Sequence, residues 1–212
     1  MVHAPYGVAA EFTPAASPSP LPWLDALAGR PYLLHVGSCI PRKRMDVLLD
    51  VAAAVRSSRP DVTLVKVGGP WTPDQAVRLE ANGLAGHVVT AAGLTRTELA
   101  EVYRRAAVVL MPSDAEGFGL PVIEALACGA VVVASDLPVL REVGEGAVIF
   151  CPVADVPAWA AAVGRVLSDP GFQPPRADRL AVAARYTWAN HAAIIADAYQ
   201  NLWGELCAAS PG

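Results

Sequence analysis

Cysteine is scarce and scattered in this sequence. Cys39, Cys128, Cys151 and Cys207 form no C-x-x-C pair and have no histidine at metal-ligand spacing. This argues against a zinc module and a disulfide scaffold, and fits small apolar side chains in a reducing compartment. Charge is also low, at 17% of residues, with a formal net charge of −4. A mildly acidic balance gives no general attraction for nucleic acid or an anionic membrane, so any phosphate site must be local. No run reaches the roughly 18 apolar residues of a membrane span, and no basic-then-apolar leader pattern opens the chain. The expectation is a cytoplasmic protein. Two phosphate-binding signatures are missing as well. There is no G-x-G-x-x-G after the first strand and no G-x-x-x-x-G-K-[ST], which argues against a dinucleotide oxidoreductase and a P-loop enzyme.

What is present is apolar and periodic. The 212 residues are 54% hydrophobic, enough to bury a real core. Residues 1–30 read as a linker-like segment, with Pro14, Pro18, Pro20 and Pro22 interleaved with Ala and Ser. From Tyr32 onwards, short apolar runs alternate with amphipathic patterns. The strand candidates are Tyr32–Val36, Thr63–Val67, His87–Thr90, Val108–Met111, Val131–Ala134 and Ala147–Phe150. Several are apolar throughout, as parallel strands covered on both faces are. Leu48, Val51, Ala52 and Val55 repeat at helical spacing, as do Leu99, Val102, Tyr103 and Ala106. Thr95 with Glu98 reads as a capping box. Asp155 is placed to cap a further helix carrying Val156, Trp159, Ala160 and Val163, which Asp169-Pro170 ends.

This alternation predicts an α/β fold with a doubly wound, parallel, six-stranded Rossmann-like sheet over residues 31–175, with helices on both faces. Residues 176–212 are expected to be helical, with Ile195, Ala198, Tyr199 and Leu202 on one face and Trp188 and Trp203 near its ends. That face could cover the sheet or dock on another domain. Ligands of such sheets bind beyond the carboxyl ends of the strands.

Three strand-end loops carry candidate chemistry. After Val108–Met111 comes Pro112-Ser113-Asp114-Ala115-Glu116-Gly117-Phe118-Gly119-Leu120-Pro121, then a helix ending at Gly129. Pro121 suits the first helical position and Gly129 the left-handed residue past the end. Gly117 and Gly119 let the backbone approach a ligand, so free amides and the helix dipole would seat a phosphate. Glu116 and Glu124 bracket this seat and suit sugar hydroxyls, although Glu124 alone also reads as a first-turn acid favoured by the dipole. The first strand ends in Gly37-Ser38-Cys39-Ile40-Pro41-Arg42-Lys43-Arg44. If this loop faces the same crevice, Arg42 and Lys43 can neutralise a diphosphate without a metal. Otherwise they are a solvated cluster. Gly68-Gly69-Pro70 is either a plain turn or a further contact.

The run Glu116-Gly117-Phe118-Gly119-Leu120-Pro121 with Glu124 resembles the E-x7-E motif of retaining glycosyltransferases of the GT-B fold (group 1, family 4 type). The resemblance extends from Val2 to about Trp203, through Pro5-Tyr6-Gly7-Val8, Tyr103–Val108, Ala127-Cys128-Gly129, Val132–Asp136 and Glu142-Val143. It implies the C-terminal, donor-binding domain. Glu116 would hold donor-sugar hydroxyls and Glu124 the ribose. The amides of Gly117, Phe118, Gly119 and Leu120 would serve sugar and diphosphate, with Lys43 on the diphosphate. Gly37, Ser38 and Gly68 would complete the donor site, with the base near Ala92-Gly93-Leu94. Glu116, Lys43 and Arg42 would carry the catalysis, with no metal and no cofactor.

Ser38 stands where the family commonly has Arg, a gap that Arg42 could fill. The family's N-terminal acceptor domain is not among these residues, so it is expected on a longer protein or on a separate chain, and any peripheral membrane association would run through it. The implied partner is a nucleotide sugar, UDP- or GDP-linked, and not nucleic acid. Two other readings stay open. One is a non-catalytic module docking through its C-terminal helix. The other is half of a GT-B epimerase or phosphorylase.

Overall fold

The computed structural model describes residues 2–15, 20–27 and 29–209, with side chains described to residue 204. Pro18 of the proline run and the side chain of Cys207 lie outside the described residues. Six strands form one sheet: β1 (Tyr32–Val36), β2 (Thr63–Val67), β3 (Val88–Ala91), β4 (Val108–Met111), β5 (Val132–Ser135) and β6 (Ile149–Cys151). All pair in parallel, in the order β3-β2-β1-β4-β5-β6. The sequence places every strand to within two residues. The apolar runs explain this, since β2 and β4 are buried along their whole length.

Alternate side chains of each strand feed two cores. On one face Leu33, Leu64, Leu110 and Val133 pack under α2 (Met45–Ser58) and α7 (Val156–Ser168). On the other, Leu34, Val65, Val109 and Val132 pack under α4 (Arg96–Arg105) and α5 (Leu120–Ala127). The predicted stripe of α2 is buried as Leu48, Val51, Ala52 and Val55. Thr95 and Glu98 form the capping box of α4. Asp155 accepts the amide of Ala158 at 3.0 Å to open α7.

Three differences from the sequence reading have physical causes. Residues 1–30 are less linker-like than their prolines suggest. Pro22–Asp25 form a short helix, α1, and Phe12, Leu21, Leu24 and Leu27 are buried in the second core. Leu120, not Pro121, opens α5, because Gly119 takes the left-handed capping position at φ 97°. Two further helices, α3 (Pro73–Ala81) and α6 (Pro138–Gly144), carry too little apolar periodicity to be read; α3 buries none of its residues.

The C-terminal region divides in two. In α8 (Arg176–Ala183), Ala183 is buried and Val182 packs against the α5-side core. In α9 (Trp188–Ala209), Tyr199 and Trp203 are 71% and 70% exposed, so this face does not cover the sheet. Among the described residues, no helix is long and apolar enough to cross a membrane.

In this order the direction in which successive strands are added reverses between β1 and β4, so the loops leaving these two strands part and open a crevice. The two loops are Gly37–Arg44 and Pro112–Gly119.

Candidate active site

The crevice at the switch point holds a cleft of about 370 Å³, lined by Tyr6, Arg42, Lys43 and the run Glu116 to Pro121. The β1 loop reaches it through a turn at Pro41–Lys43, after which Arg44 turns left-handed and α2 begins. The amide of Asp114 donates to the carbonyl of Arg42 at 3.0 Å, tying the β4 loop to the β1 loop. Sequence positions about seventy residues apart are thereby fixed in register.

Glu116 is the electrostatic centre. Its Oε1 accepts from Lys43 Nζ at 2.5 Å and Ser113 Oγ at 2.7 Å, and its Oε2 from Arg42 Nη1 at 2.9 Å. Its side chain is 5% exposed and that of Lys43 is 8%. Burial alone would raise the carboxyl, but the bonds from Lys43, Ser113 and Arg42 outweigh it and hold it below its ordinary range. Arg42 stays half open to solvent and also holds the carbonyl of Ala115. The carboxylate expected to meet a sugar is thus already saturated by the two cations expected to meet a diphosphate.

At the head of α5 the amides of Gly117, Phe118 and Gly119 make no backbone hydrogen bond among the described residues. They precede the N-terminus of α5, where an anion is favoured. A Cβ at Gly117 would meet nothing within 4 Å, and its φ is not left-handed. Nothing inside the protein requires glycine there.

The other expected contacts lie apart. Glu124 is not part of the cleft lining; it accepts from the hydroxyl of Tyr103 on α4 at 3.0 Å. Burial raises its carboxyl, against the hydrogen bond from Tyr103 and the charge of Arg96. Gly68, at φ +142°, is committed to packing, since a Cβ there would sit 2.1 Å from the oxygen of Gly37. Gly37 and Ser38 form the β1 side of this junction and are not among the cleft's lining residues. Gly93 and Leu94 lie in the exposed-to-half-buried loop before α4.

Sequence reasoning missed Ser113, Tyr6 and His35. Ser113 read as part of a turn, and Tyr6 as part of a linker. His35 lies within an apolar strand and reads as core. Its Nδ1 lies 2.9 Å from the carbonyl of Leu110, so that nitrogen carries the proton, and its buried Nε2 has no partner among the described residues. Burial pushes its pKa down to about 4, aided by Lys43 and Lys66 and opposed by the Leu110 bond and Glu116.

The native state therefore stays neutral at His35 where the unfolded chain, near 6.5, has begun to bind a proton. Stability contributed by this group is complete above about pH 6.5 and lost as the pH falls towards 4. Unfolding in urea should cost about 2 kcal/mol less at pH 5 than at pH 7. Glu124, raised in the folded state, acts with the opposite sign nearer its own range. The His35→Gln variant separates the two, since it should flatten the loss between pH 6.5 and 5. An unchanged slope in that variant would assign the effect elsewhere.

Comparison with known proteins places this chain in a family. The model for glycosyl transferases group 1 matches residues 30–169. A D-inositol 3-phosphate glycosyltransferase of Mycolicibacterium gilvum is 40% identical over 167 residues, covering 73% of this chain and 36% of that protein. One from Thermobispora bispora is 33% identical over 208 residues, covering 89% and 47%. Among solved structures, a sucrose-phosphate synthase of Thermosynechococcus elongatus superposes with a TM-score of 0.76 at 28% identity, over 95% of this chain and 52% of that one. The Anabaena Alr3699/HepE protein in complex with UDP and glucose shares the fold, with a TM-score of 0.73 at 20% identity, over 86% and 50%. The chain spans less than half the length of the curated relatives it matches. It belongs to the group 1 glycosyl transferases and carries a domain of their GT-B type.

Proposed function

We propose that this chain is the nucleotide-sugar-binding half of a retaining glycosyltransferase that works without a metal. The observation that carries the reading is the convergence of Lys43 and Arg42 on Glu116 at the head of the Gly117–Leu120 turn. Two cations, free amides and a helix N-terminus give an anion site suited to a diphosphate. Glu116, lifted off one cation by the incoming phosphate, gains capacity for sugar hydroxyls. The glycine at 117, which the protein itself does not need, leaves room for a ligand against the backbone. As the glycosidic bond breaks, charge gathers on the leaving diphosphate, where Lys43, Arg42 and the amides stabilise it. Glu124 with Tyr103 forms a second, drier carboxylate site one turn further along α5, suited to the ribose.

The donor is UDP- or GDP-linked in this reading, a choice consistent with the UDP carried by the Anabaena structure. The acceptor belongs to the remainder of the relatives' length, so the chain alone binds donor and transfers little. The exposed Tyr199 and Trp203 face suits a docking module as well, but the cleft is open rather than blocked, which favours the donor-binding reading.

Calorimetric titration of the folded chain with UDP and GDP, in the presence of EDTA, tests this. Binding of one of them at micromolar to millimolar strength is expected, with no dependence on added magnesium. Absence of binding by both would overturn the assignment.

A further inference from the structure

The cleft that holds the cations also has aromatic lining, and one of its rings, Tyr6, comes from outside the sheet. Tyr6, in the segment before α1, packs edge-on against Phe118 at 5.3 Å between ring centres. It also packs against Trp188 at 6.0 Å and His191 at 5.7 Å, both on the first turn of α9. The segment carrying it is strapped down along its length. The amide of Val8 donates to the carbonyl of Tyr186 at 2.9 Å, and Val8 forms a parallel bridge with Thr187. His191 Nδ1 reaches the carbonyls of Ala4 and Pro5 at 3.2 and 3.1 Å. Gly7 lies against the backbone of α9 so closely that a Cβ would stand 2.1 Å from the amide nitrogen of Trp188.

Packed against three other rings, Tyr6 is still 47% exposed, and it lines the cleft. An aromatic side chain immobilised without being buried presents apolar area that a ligand in the cleft can cover. The cations and the Gly117–Leu120 turn line the same cleft as Tyr6, so a diphosphate bound there brings the group attached to it within reach of the ring.

We infer that Tyr6 is a specificity-determining residue, the stacking wall for the sugar of the bound donor, held in place by the Gly7 strap on α9. The inference rests on the donor-binding reading above. A sugar ring presents axial C–H groups to an aromatic face and hydroxyls to polar partners, so Glu116 and Tyr6 would grip different sides of it. The nucleoside diphosphate has no such ring in this part of the cleft.

The test is calorimetry on the full chain with UDP against UDP-glucose and GDP against GDP-mannose, for wild type, Tyr6→Ala, Tyr6→Phe and Gly7→Ala. Tyr6→Ala should lose three- to tenfold in affinity for the sugar nucleotide that wild type binds, about 0.7–1.4 kcal/mol. Its affinity for the matching nucleoside diphosphate should change less than twofold. Tyr6→Phe keeps the ring and should stay within twofold on both ligands. Gly7→Ala should reproduce Tyr6→Ala, because the strap must lift. Equal losses on both ligands, or none on the sugar nucleotide, would overturn the role of Tyr6 while leaving the donor-binding reading standing. No binding of any of the four ligands by wild type would overturn both.

Discussion

Replacing Lys43 with methionine is expected to weaken nucleoside diphosphate binding by about 100-fold, the largest loss of any single change in the site. A charge-assisted contact to phosphate is worth about 1.5–3 kcal/mol, or roughly ten- to 150-fold. The upper part of that range applies here because Lys43 is buried and water cannot take its place. Removing it also leaves Glu116 with only Arg42 and Ser113, so the one remaining cation is taken up by Glu116 and no net positive charge is left for the phosphate. Methionine keeps the stem that packs beneath Gly37, so the fold should survive. Calorimetry with a parallel thermal melt checks both. Retention of binding to within threefold in a folded Lys43→Met protein would place the diphosphate elsewhere.

The second large effect has two opposite signs. Glu116→Gln should bind nucleoside diphosphate roughly tenfold more tightly and unfold at lower temperature. In the free protein the Glu116 carboxylate neutralises Lys43 and Arg42, so a diphosphate must compete with it. One unit of charge about 4 Å away is worth several kcal/mol at an effective dielectric constant near 20, which suffices for a tenfold change after screening. Glutamine keeps the shape and accepts from Ser113 and one cation, but leaves buried Lys43 without a counter-ion. Losing one partner of a buried pair costs about 3–5 kcal/mol, less where a second cation such as Arg42 is solvated.

The same logic sets a pH dependence. Because the Glu116 carboxyl is held below its ordinary 4.5, its contribution is fully present above that pH and disappears as the pH falls through its folded value. The wild-type advantage over Glu116→Gln in melting temperature should therefore shrink below about pH 4.5. A variant that loses both affinity and stability would show that Glu116 assists the diphosphate rather than competing with it.

Much of this was legible in the sequence where burial wrote a pattern. β1, β2 and β4 are largely apolar because helices cover both faces of the sheet, but whether the β1 and β4 loops share one crevice stayed open in the sequence and follows from the strand order. The loops carrying Arg42, Lys43 and Glu116 could be named because they follow strands. Their contact could not, since it is made by long-range bonds across the switch point, from the Asp114 amide to Arg42 and from Arg42 and Lys43 to Glu116.

Other features left no apolar signal. Helix α3 exposes Val77 and buries nothing, so its only mark is the box formed by Thr72 and Gln75. His35 and Lys66 sit opposite one another on β1 and β2, fully buried, and their neighbours in sequence give no hint of a polar environment. Tyr6 lay in a segment whose prolines suggested a linker, and only the packing of Gly7 on α9 shows that it is held. Glu124, paired with Glu116 by spacing, lies inside α5 with its carboxylate on the hydroxyl of Tyr103, whereas Glu116 lies in the loop before that helix, so the spacing does not bring them into one cleft.

The central claim is that the anion site lies where Lys43 and Arg42 meet the Gly117–Leu120 turn. The most direct test is a titration of the isotope-labelled chain with UDP and with GDP, followed by amide nitrogen–proton spectra. The account predicts that one of the two shifts the amides of Gly117, Phe118, Gly119 and Leu120 most, with smaller changes at Arg42 and Lys43. Shifts clustered elsewhere, with these amides unmoved at saturation, would contradict it.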